Sequence, residues 1–208
     1  AIFKLAAMAE KPAMKINFMR QFKTIFLSLF ILLMSNCISA QSKADSISVI
    51  FPKVLVINDK KQVLLSFDNN RKAFEVPSMG TIDGPISYKS YIDSAAKDMG
   101  IKYTNFRLGG LFTYIFPKEY STYIRPYFVV KFAQYANGQN LADSSYKWFS
   151  FTNAVNEIPY PASSKIVEKI LFQSKTVWGA TFEEFGYTNP VDKSKIKFKI
   201  LEDFFKLN

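Results

Sequence analysis

The 208-residue chain contains no histidine and a single cysteine, Cys37. Without imidazole or a second thiol, Ser-His-Asp catalysis, a Cys-His nucleophile pair and Cys/His zinc sites are excluded. No intrachain disulfide can form, so the fold must be held by its core. Internal repeats and low-complexity tracts are also lacking. Acidic side chains are the scarcer sign of charge, 17 against 27 basic, for a net charge of +10.

Part of that excess lies at the N-terminus. Lys15, Arg20 and Lys23 precede an apolar run from Ile25 to Met34, and Ser39-Ala40 then puts small residues before Gln41. A basic segment, a short apolar run and a small-residue site form the pattern of a secretory signal peptide. The run is too short to cross a hydrocarbon core about 30 Å thick, which argues against a permanent span. Residues 14–40 are therefore read as the signal and residues 1–13 as upstream sequence, placing the mature protein in the periplasm or outside the cell. Lipid anchoring through Cys37 is the alternative to cleavage after Ala40, and Asn36 fits it poorly because a small residue is favoured there. Setting residues 1–40 aside leaves 22 basic and 16 acidic residues, a balance of +6. A basic exported protein suits an anionic small-molecule ligand, whereas export excludes a nucleic-acid role.

The most ordered pattern is Phe74 to Ile101. Phe74-Glu75-Val76-Pro77 reads as a short strand, and Ser78 to Pro85, with Gly80 and Gly84, as a loop. Ser87 to Met99 reads as a helix, with Ser87 as N-cap and Gly100 as its stop. Tyr91, Ile92, Ala95, Ala96 and Met99 recur at helical spacing and predict the buried side, leaving Asp93, Ser94, Lys97 and Asp98 on the opposite face. Upstream, Val54 to Phe67 predicts two strands joined at Asn58-Asp59-Lys60-Lys61. Downstream, Phe106–Phe116 and Tyr123–Phe132 predict two more, separated by residues 117–120. Tyr146–Phe151 follows, and then a helix from Pro161 to about Gln173 with Ile166, Ile170 and Leu171 inside.

In frame and without gaps, Val76-Pro77, Ala95 and Gly100-Ile101 resemble the apolar-Pro entry, apolar helix position and Gly-apolar close of the Nudix hydrolase box. The resemblance covers roughly residues 48–174. It implies an α/β fold, an α/β/α sandwich about a mixed sheet, for a domain at residues 41–175. It also implies a helical face that holds Mg²⁺ or Mn²⁺ through glutamates and cleaves a diphosphate-linked compound. The box here is degenerate. Its first glycine falls on Met79, its first Glu on Pro85, its Arg-Glu pair on Asp93-Ser94 and its Glu-Glu pair on Lys97-Asp98. Hard divalent ions need several oxygen ligands, and a lysine ammonium about 6 Å away would repel one by several kcal/mol.

Two functional readings follow. The first is a non-catalytic or divergent protein that binds a ligand or partner and needs no cofactor. Its ligand contacts are expected at Arg125, Tyr127 and Tyr114, because an arginine within an apolar strand and next to proline calls for a partner. The second is a hydrolase with a rearranged Mg or Mn site, using Asp98 and Asp83 as ligands and Asp98, Asp93 or Glu119 in catalysis. Residues 176–208 are expected to form a C-terminal extension packed on the domain and open to a protein partner. Within it, Trp178-Gly179 and Phe185-Gly186-Tyr187 read as loop and turn, Lys193 to Lys199 as an edge strand, and Ile200 to Leu207 as an amphipathic helix.

Overall fold

A computed structural model describes residues 47–116, 121–138, 140–188, 190, 192 and 194–208. The upstream and signal segments and Cys37 lie outside the described residues, as does Glu119. The order is β1 (Ile47–Ile50), β2 (Lys53–Ile57), β3 (Gln62–Asp68), β4 (Ala73–Glu75), α1 (Tyr88–Asp98), β5 (Ile101–Phe116), β6 (Ser121–Tyr135), β7 (Tyr146–Ser150), α2 (Phe151–Glu157), α3 (Pro161–Phe172), β8 (Trp178–Phe185) and β9 (Lys197–Lys206). They build one mixed sheet, ordered β4-β3-β2-β6-β5-β8-β9, with β1 also paired to β6 and β7 to β3. β1 and β2 follow one another along the same edge of β6, both parallel to it, and β8 runs parallel to β5.

Alternation along the strands sends side chains to two cores. Val54, Val56, Leu64, Phe128 and Val130 face α1, which contributes Tyr91, Ile92, Ala95, Ala96 and Met99. Leu55, Val63, Leu65, Phe112, Tyr127 and Phe182 face α2 and α3, with Ala154, Ile166 and Ile170 against them. The fold is thus the expected α/β/α sandwich. Among the described residues no helix is long and apolar enough to cross a membrane.

α1 starts and stops where its sequence dictates. Ser87 Oγ accepts the Ser90 N–H at 3.1 Å, which satisfies one donor of the first turn. At the other end Gly100 turns to φ +68°, in the left-handed region that glycine enters without a Cβ clash. The Tyr91 hydroxyl ties α1 to the preceding loop, accepting from Met79 N at 2.7 Å and donating to Gly80 O at 3.0 Å.

The last two strands correct the sequence reading. Trp178–Phe185 is a strand rather than a loop, and Lys197–Lys206 is a strand where residues 200–207 suggest a helix. Register shifts at Gly179/Thr181 and Thr181/Phe182 interrupt the pairing of β8 with β9, so apolar residues in β9 lose the period of two that marks a strand. Gly179 reads as a breaker, yet its missing side chain makes room for a ring: an added Cβ would lie 2.4 Å from Phe205 Cζ.

Candidate functional site

Of the carboxylates expected in a rearranged hydrolase site, Asp98 and Asp93 lie on the polar face of α1 and Asp83 in the loop before it, and each of these three is already engaged. Asp93 accepts from Lys89 Nζ at 2.6 Å and from Tyr103 Oη at 2.5 Å, and the Lys89 contact leads in holding its pKa below the usual carboxylate value. Asp98 accepts from Tyr146 Oη at 2.5 Å. Burial and the Asp98 charge push that phenol well above its ordinary pKa, so it stays a donor. Asp83, in the loop, accepts from Thr81 Oγ1 at 2.7 Å. Ser94 and Lys97 are exposed on the same helix. A hydroxyl, an ammonium and carboxylates capped by tyrosines and lysine are a poor donor set for Mg²⁺ or Mn²⁺. Among the described residues no three Asp, Glu, His or Cys side chains gather as metal ligands.

A different set converges on the opposite face of the sheet. A cleft of about 600 Å³ is lined by Phe51, Lys53, Asp68, Asn70, Arg71, Glu75, Phe116, Tyr123, Arg125, Tyr160, Tyr187 and Thr188. Alternation explains its floor: Lys53 heads the run Lys53–Ile57 and points to the same side as Leu55, and Arg125 to the same side as Tyr127. The C-terminal segment closes one rim through Tyr187 and Thr188, so residues beyond the end of the Nudix resemblance help to build the site.

The charges in the cleft are unequally matched. Lys53 is 1% exposed, and its Nζ lies 2.9 Å from Glu75 Oε1 and 3.3 Å from Val76 O. Burial lowers the Lys53 pKa despite Glu75, and the Lys53 charge keeps Glu75 low against its own burial. Arg71 lies 3.7 Å from Asp68. Arg125 makes no ion pair among the described residues, and its buried Nε has no hydrogen-bond partner among them. Its guanidinium instead sits 3.9 Å from the Tyr114 ring centre, with Phe51, Tyr123 and Phe116 at 5.5, 5.8 and 6.0 Å. Cation-π attraction of this kind is worth about 2 kcal/mol when desolvated. Burial opposes the charge, but the electrostatic influence of Tyr114, Tyr127, Glu75 and Glu184 outweighs it, so Arg125 remains protonated.

The three residues expected to contact ligand are therefore brought together but have different places. Arg125 reaches the cleft. Tyr114 and Tyr127 are fully buried beneath it, with their hydroxyls 3.3 and 3.4 Å from Ser163 Oγ on α3. The Tyr114 ring supports the guanidinium from behind. Glu184 is also buried behind this wall; its pKa is raised by burial, against the hydrogen bond from Tyr187 Oη and the charge of Arg125. Sequence reasoning missed Lys53, Arg71 and Glu75. The one usable signal was a lysine opening an apolar strand on the side that period two assigns to the core.

No family model matches the chain, and no curated protein matches it. Solved structures do. A mutator MutT protein from Bacillus halodurans superposes with a TM-score of 0.54 at 17% identity, covering 74% of this chain and 97% of that one. A NUDIX hydrolase from Nitrosomonas europaea gives 0.48 at 14%, covering 62% and 90%. At such identities the likeness is one of fold, and the fold is the Nudix type.

Proposed function

We propose that this is an exported, non-catalytic Nudix-fold protein that binds a small anionic ligand in the cleft on the α3 face, with Arg125 as its anchor. The observation that carries the reading is that Arg125 has neither an ion pair nor a hydrogen-bond partner for its buried Nε among the described residues: a cation drawn out of water without a directly bonded anion is costly, and a ligand anion supplies that partner. Tyr114 holds that cation from below. The composition of the α1 face argues the other half, because the positions that carry glutamates in a Nudix box carry Ser94 and Lys97, and Asp98 is held by Tyr146. Export rests on the basic and apolar N-terminal pattern.

The test is thermal denaturation of the purified chain with and without added organic anions, beside Arg125→Met. Saturable stabilisation of the wild type that disappears in Arg125→Met supports the reading. Equal responses from both proteins refute it.

A further inference from the structure

Resting on the cleft as an anion site, we infer that its ligand is an aromatic monocarboxylate, one negative charge on a planar ring, rather than a diphosphate. The cleft is lined by three cations, Lys53, Arg71 and Arg125, and two carboxylates, Asp68 and Glu75. Lys53 is committed to Glu75 at 2.9 Å, and Arg71 faces Asp68 at 3.7 Å. One cation is left.

A diphosphate brings more charge than one guanidinium matches. To gain a second buried cation it must draw Lys53 away from Glu75, leaving a carboxylate in the same cleft facing another anion. A phosphate monoester, at about −1.5 to −2 near neutral pH, is also in excess. A carboxylate carries one charge, and its two oxygens match the guanidinium fork. The rest of the lining selects a ring: Phe51, Phe116 and Tyr123 surround the guanidinium, and Tyr187 on the rim lies 5.7 Å from the buried ring of Tyr160. Aromatic faces so placed offer stacking that a compact inorganic anion cannot use.

Calorimetric titration of the purified chain with 2-naphthoate, 2-naphthamide, acetate and inorganic pyrophosphate tests this. 2-Naphthoate is expected to bind at least about tenfold more tightly than each of the other three, and Arg125→Met, checked for folding by circular dichroism, to lose that advantage. Pyrophosphate binding more tightly than 2-naphthoate, and dependent on Arg125, overturns the monocarboxylate while leaving the anion site standing. 2-Naphthamide binding as tightly as 2-naphthoate overturns the charge argument, and acetate doing so overturns the aromatic one. Binding unaffected by Arg125→Met, or no anion binding at all, overturns both the inference and the reading beneath it.

Discussion

Arg125 lies with its guanidinium 3.9 Å from the centre of the Tyr114 ring, a contact that holds a cation without neutralising it. The strand pairing creates it, since Phe112 and Tyr114 of β5 run alongside Arg125 and Tyr123 of β6 in antiparallel register. An aromatic support leaves the charge free to attract an anion, which a carboxylate partner would not. Lys53 and Glu75 show the other arrangement in the same cleft: a cation already satisfied.

That difference predicts how the pair behaves when cut. Lys53→Met is expected to destabilise the chain by about 2 kcal/mol, below the 3–5 kcal/mol typical of a fully buried pair because the Glu75 side chain is 21% exposed. Lys53→Met combined with Glu75→Leu should recover most of the loss. Urea denaturation of the two single variants and the double variant checks this as a cycle.

Glu184 gives a pH signature. Its folded pKa is raised above the ordinary 4.5, so the folded state holds an extra proton between the two values and stability falls as pH rises through that window. Glu184→Gln removes the buried charge. The variant should be more stable than wild type at neutral pH by about 1 kcal/mol, the scale of one unsatisfied buried group. Denaturation curves well below pH 4.5 should show the advantage gone.

Gly186 positions the segment that brings Tyr187 to the cleft. It has φ +86°, and a Cβ there would meet Lys195 O at 1.9 Å. Because both the conformation and a backbone atom oppose a side chain, Gly186→Ala should destabilise by about 2 kcal/mol or more. Thermal denaturation measures the loss, and ligand titration should show weaker binding as Tyr187 shifts.

The α1 face predicts a gain of function. Ser94→Glu with Lys97→Glu restores two carboxylates at the box positions, and Tyr146→Phe frees Asp98. The triple variant should bind Mn²⁺ with a Kd of about 10⁻⁴–10⁻³ M, in the range of weak all-oxygen sites. Electron paramagnetic resonance of free Mn²⁺ reports it, with the wild type showing no saturable binding.

Local signals explain what the sequence made legible. α1 had a cap at Ser87, a stop at Gly100 and an apolar face of period 3.6, three agreeing features within one segment. β2 and β3 had an apolar run on each side of a polar turn closed by Asn58 Oδ1. β9 failed that test because its bulges put Phe204 into the core and Phe205 against Gly179, and Leu201, Phe204 and Phe205 then fall at helical spacing by accident. Arg125 was readable because a charged residue in an apolar strand is anomalous alone. Lys53 and Glu75 were not, since their 22-residue separation closes only when β4 returns along β3 and Val54 N donates to Pro77 O at 2.9 Å.

The most direct test of the account is nitrogen-edited NMR of the chain titrated with 2-naphthoate, following the Arg125 Nε–H signal and the backbone amides of Tyr88–Asp98. A saturable shift at Arg125 with the α1 amides unmoved is the predicted result. Saturable shifts along α1 with Arg125 unmoved would contradict it.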